Sequence, residues 1–174
     1  MVWINRLFLT FIILAVINIS HAQSIDTDTI DRIIQKQDAS LSFSELSQVQ
    51  GFMATAFEVM FYSENPRESI QVRNAITSRA PKNWESDYGT KFAQTWAELS
   101  NKYLSEINQI QDPQKRKDFI RNVLVATARL NNASFIDLPL KYVGDNDVTI
   151  AYWVAKNLTA PDIVKKLNNN PGGS

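Results

Sequence analysis

Any catalysis by this chain would rest on carboxylates, Lys, Tyr, Ser or Thr, and the carboxylates are the candidates whose placement suggests a reaction. Glu85 and Asp87 lie two residues apart in Lys82 to Thr90 (KNWESDYGT), a stretch without helical periodicity that also holds Trp84 and Tyr88. Acids beside aromatic rings suit a sugar: rings stack on its face, and a carboxylate pair roughly 5–10 Å apart cleaves the glycosidic bond. Glu58 is a third acid, set between Phe57 and Val59. Burial would raise its pKa and make it a general acid. Its helical phase instead carries it away from the Met53, Phe57, Met60 and Phe61 stripe, toward solvent. Trp84, Glu85, Asp87 and Tyr88, together with Trp153, serve a different use better: an aromatic and acidic surface that recognises another protein.

Other chemistries are excluded by residue type. The sequence has no Cys and one His, His21, which lies in the first 22 residues. Without them there is no Ser-His-Asp triad, Cys-His pair, Cys/His zinc site, His- or Cys-ligated haem or iron–sulfur cluster. Gly144-Asp145-Asn146-Asp147 offers oxygens at short spacing, as a calcium loop does. Such a loop needs Glu at its twelfth position, and twelve counted from Asp145 is Lys156; a turn or helix cap is the simpler reading. Ser-x-x-Lys (beyond residue 22), Gly-x-Ser-x-Gly, Walker and Gly-x-Gly-x-x-Gly patterns are all absent. No metal and no cofactor are expected.

The first 22 residues read as a secretory leader. Met1 to Arg6 carries one positive charge, Leu7 to Ile19 is an apolar run of 13 residues, and Ser20-His21-Ala22 fits a small-x-small cleavage site. The run is short of the ~20 residues that span a membrane. Cleavage after Ala22 would start the mature chain at Gln23, with no membrane span. An exported chain without disulfides points to a bacterial periplasm. Lys and Arg number 18 against 18 Asp and Glu. That balance gives no electrostatic case for a nucleic-acid partner.

Residues 23–167 read as one all-α domain of six or seven helices, and residues 168–174 (NNNPGGS) as a flexible tail. The first helix spans about Asp28 to Gln37. Ser42 and Glu45 form a capping box before a second, Phe43 to Ser63, whose apolar face includes Phe43, Phe52, Phe57 and Phe61. Gly51 within it implies close packing by a neighbour. Asn65-Pro66 opens a third helix ending near Arg79. A fourth, Thr90 to Gln111, carries Phe92, Trp96, Leu99, Tyr103, Ile107 and Ile110 at heptad-like spacing. That seam implies antiparallel packing in a bundle, and a two-fold homodimer could use the same pattern. Asp112-Pro113 opens a fifth, ending at Leu130 before Asn131-Asn132. Pro139 argues against a long helix over Phe135 to Val143. Val148 to Lys156 (VTIAYWVAK) suits strand or helix. Asp147 as cap and the Val148, Ala151, Tyr152, Ala155 spacing favour helix. Pro161 to Leu167 closes the domain.

These features together lead to an expectation of a non-enzymatic periplasmic protein. It would be an accessory or assembly factor of an envelope machine such as a secretion system, binding the periplasmic part of an inner-membrane component. An immunity protein or inhibitor blocking a toxin fits the same features. A carboxylate-dependent glycan hydrolase is the enzymatic alternative.

Overall fold

The computed structural model describes residues 26–36 and 39–169. The expected leader, the expected start at Gln23 and the last five residues of the expected tail lie outside the described residues. What is described is helical throughout: α1 Thr27–Gln35, α2 Phe43–Tyr62, α3 Pro66–Ser78, α4 Asp87–Ser105, α5 Pro113–Leu130, α6 Asp137–Leu140, α7 Val148–Leu158 and α8 Pro161–Asn169, with 3-10 turns at Ile107–Gln109 and Ala133–Phe135. None is long and apolar enough to cross a membrane.

Short-range capping places most helix starts. Ser42 Oγ accepts from Glu45 N (3.3 Å), and Glu45 Oε2 accepts from Ser42 N (2.9 Å), closing the expected box. Asn65, Asp112 and Asp147 each accept from the amide two residues on, before or beside a Pro or a β-branched residue. α5 stops where Asn131 turns into the left-handed region, φ 46°.

Several boundaries differ from those expected. α1 ends at Gln35. α4 starts at Asp87 rather than Thr90, because Ser86 Oγ accepts from Gly89 N (3.0 Å) and caps it three residues early. It ends at Ser105, and Ile107–Gln109 tightens into a 3-10 turn short of Gln111. α6 is an added single turn holding Pro139, whose missing N–H falls among the first-turn amides that have no intrahelical partner. α8 continues through Asn169, so the first two residues assigned to the tail are helical.

α2 and α4 are the spine of the core, and they run parallel. Leu41, just before α2, donates its amide to Asp87 at the start of α4 (2.9 Å), while Phe61 near the end of α2 meets Tyr103 near the end of α4 (5.0 Å). The heptad-like seam is therefore buried inside one chain, against a parallel rather than an antiparallel neighbour. Phe92, Trp96, Tyr103 and Ile110 are covered and unavailable to a second copy. α3 returns between the two along α2, and α5 packs on α3. Phe119 of α5 closes the aromatic cluster against Phe61 (5.1 Å) and Tyr103 (6.3 Å). Such pairs add about 0.5–1.5 kcal/mol each beyond burial.

Two residues of α2 do not behave as their spacing implies. Phe43, in the first turn, is exposed. Gly51 faces solvent, and a Cβ built on it meets nothing within 4 Å; no neighbouring helix presses there.

Candidate partner-binding surface

The irregular segment before α4 is a tightly bonded turn. Asn83 Oδ1 accepts from Glu85 N (2.9 Å), and Ser86 Oγ donates to Asn83 O (2.8 Å). The turn lies so close to α4 that a Cβ on Gly89 would stand 2.3 Å from Asn83 O and 2.6 Å from Trp84 Cα. Only glycine fits.

The expected site residues divide accordingly. Trp84 is half-buried, edge-on to Phe92 and Phe135 with ring centroids 5.9 Å from each. Tyr88 is 5% exposed, and its hydroxyl donates to Arg79 O (2.7 Å); burial pushes its phenol well above the usual range. Asp87 Oδ2 accepts the Leu41 amide, tying the connector before α2 to α4. Glu85 is exposed. Asp87 is exposed as well, so the segment presents both acids to solvent and spends its aromatics on packing.

The carboxylates do not gather. Glu58 is exposed on α2, close enough to Tyr103 to raise that phenol after the larger effect of burial. Asp87 and Tyr103 stand at opposite ends of α4, about 24 Å apart at 1.5 Å per residue. Asp145 Oδ1 accepts from Asp147 N (2.8 Å). Asp147 Oδ1 takes the Thr149 and Ile150 amides, and its Oδ2 pairs with Lys117 Nζ (3.1 Å). Lys117 and these amides hold the Asp147 carboxyl below its ordinary range. The turn is a helix cap. Among the described residues no three His, Cys, Asp or Glu side chains gather as metal ligands.

A cleft of about 190 Å³ lies where the α2–α3 turn meets the start of α5, lined by Met60, Ile70, Lys115 and Arg121 among others. Four of its charges pair, Lys115 with Glu64 (2.6 Å) and Arg121 with Asp118 (2.7 Å), and Asp112 caps α5. That leaves little net field for a charged ligand.

A strip of exposed apolar residues lies on α7. The helix buries Ile150 and Val154, together with Asn157, whose Nδ2 donates to Leu124 O of α5 (2.9 Å). Trp153 is half-buried behind them. Tyr152 stands outside, edge-on to it at 5.3 Å. Tyr152 is 58% exposed and Val148 84%. Ala151 and Ala155 are exposed beside them. At helical spacing these four form an apolar arc about 100° wide. The turn leading into the helix adds Leu140 and Val143, exposed by 48% and 61%.

This is the same stripe whose spacing marks the segment as helical in sequence, and it points outward. The signal was present: VTIAYWVA is apolar at nearly every position, so a helix there carries two apolar faces and can bury only one. Of the adjacent pair Tyr152 and Trp153, the tyrosine faces out. No protein-family model matches the chain, no curated protein matches it, and no solved structure matches it.

Proposed function

We propose that the chain is a non-enzymatic, exported protein-binding domain, an accessory or assembly factor of a bacterial envelope machine. In this reading it holds the periplasmic part of an inner-membrane component. The observation that carries protein binding is the outward apolar arc of α7, Val148, Ala151, Tyr152 and Ala155. A continuous exposed apolar strip is costly in water and is the surface type that partners cover. Export is supported by the leader-like residues 1–22. A non-enzymatic role is supported by the absence of His and Cys after residue 22 and by the dispersal of Glu58 and Asp87. Trp84, Glu85 and Trp153 border the proposal as half-buried or exposed neighbours of the core, not as its anchors.

The test is a photo-crosslinking residue at position 152, installed in the producing cells, followed by mass spectrometry of the adduct. Crosslinking to an inner-membrane protein, lost in Val148→Asp/Ala151→Arg with an unchanged circular dichroism melt, is the expected result. Capture of a single soluble hydrolase would move the reading to an inhibitor or immunity protein. Capture through position 85 and not 152 would move the surface to the turn before α4.

A further inference from the structure

Where α3 packs on α5, two arginines are held together without an acid. Elsewhere the chain answers a guanidinium with a carboxylate: Arg79 pairs with Asp31 (2.7 Å) and Arg121 with Asp118 (2.7 Å). Arg73 of α3 and Arg129 of α5 have no carboxylate within ion-pair distance among the described residues. Neutral amides serve them instead. Asn74 Oδ1 accepts from Arg73 Nη2 (3.3 Å) and from Arg129 Nη1 (2.7 Å), which puts those two nitrogens at most 6.0 Å apart. Arg73 Nη1 donates to Asn122 Oδ1 (2.9 Å), and its Nε is buried with no partner. Burial lowers the Arg73 pKa, and the positive charges of Arg129 and then Arg121 lower it further. Like charges this close, one of them half-buried, cost free energy until an anion joins them.

A single amide oxygen shared by two charged donors answers that cost only in part. An oxyanion in the same place offers each planar guanidinium its own oxygens, in the fork geometry that arginine provides and lysine does not. Asn74 and Arg129 are exposed and Arg73 is half-buried, so the pair is open to solvent. The Arg121 charge is already met by Asp118. Arg73 and Arg129 therefore leave two positive charges. A carboxylate would balance one of them; a phosphate group, close to doubly charged at neutral pH, balances both.

We infer that Arg73 and Arg129 bind a phosphate group between α3 and α5, and that Asn74 Oδ1 stands in for one of its oxygens in the free protein. The site is separate from the α7 arc, and neither reading depends on the other.

The first measurement is the thermal melt of the full chain in inorganic phosphate, against sodium chloride at equal ionic strength. Phosphate at about ten times its dissociation constant should raise the midpoint by roughly 3–6 °C, and chloride should not. Arg129→Gln removes one fork at an exposed position. Its phosphate-free melt should match that of the parent or exceed it, and its phosphate affinity should fall at least about tenfold. Asn74→Ala removes the stand-in oxygen. It should lower the phosphate-free midpoint and enlarge the phosphate shift, whereas a purely structural amide bridge would give the lower midpoint with no phosphate response. Flotation with phosphatidylcholine vesicles, with and without phosphatidic acid, separates the sources of the group. Binding that needs phosphatidic acid, is displaced by free phosphate and is lost in Arg129→Gln assigns a lipid headgroup. A phosphate shift without vesicle binding assigns a soluble phosphate. No shift beyond chloride, or a shift retained in full by Arg129→Gln, would overturn the site.

Discussion

Gly51 and Gly89 are both helical glycines, kept under opposite constraints. Nothing approaches Gly51, so its cost in backbone entropy is unopposed by packing. Gly51→Ala should stabilise the domain by about 1 kcal/mol, seen as a raised denaturation midpoint at constant m-value. At Gly89 a methyl group would collide with backbone, which cannot move aside as a side-chain tip does. Gly89→Ala should cost about 1–3 kcal/mol by the same measurement. The sequence distinguishes neither case, because what matters is which other segment lies within 3 Å. Asp87 is similar: its hydrogen-bond partner, Leu41, is 46 residues away, and an acid beside aromatics reads as a site until that partner is known.

Helix starts were the most legible features, because caps act over three residues. The α2 box is also where pH acts. Lys36 bonds the Glu45 carboxylate, as do the amide and hydroxyl of Ser42, and together they lower its pKa from the ordinary 4.5 to about 2. A lowered folded-state pKa stabilises above the unfolded value and is lost as pH falls. The α1–α2 junction should therefore loosen between pH 4.5 and 2, with Glu45→Gln abolishing that step in an acid titration followed by amide exchange. One link between α3 and α5 is Arg73, whose Nη1 donates to buried Asn122 Oδ1 (2.9 Å). Arg73→Leu alone orphans that oxygen and should cost about 1–3 kcal/mol, whereas Arg73→Leu/Asn122→Leu should recover much of it, because losing both partners removes the unpaired group. Urea melts of both variants check this. α7 was legible as a helix and illegible in orientation, since both its faces satisfy an apolar pattern.

For the molecule as a whole, the all-α class followed from caps and periodicity, while the direction of packing did not. A heptad-like seam says that a neighbour exists and leaves its polarity open. The lack of His and Cys after residue 22 has a further effect on the whole chain. Burial pushes Tyr103 and Tyr142 up to about 12. A raised folded-state pKa keeps its stabilising effect below the unfolded value, near 10, and loses it above that. Glu45 is shifted the other way, and no His or Cys follows residue 22. Thermal melting should be flat from about pH 6 to 9 and fall on either side; a step near pH 7 would contradict this.

Because α2 and α4 run side by side in the same direction, with α3 as the return between them, their contacts are remote in sequence, as Leu41 and Asp87 show. An up-and-down bundle closes its first hairpin from neighbouring residues. Here two helices and a reversal must form before the central pair can meet. Folding should be slower than the microseconds open to the fastest helical bundles, with a relaxation in milliseconds or longer by stopped-flow fluorescence of Trp96. On the proposal that residues 1–22 are an export leader, that delay would keep the chain threadable while its two spine helices are still apart.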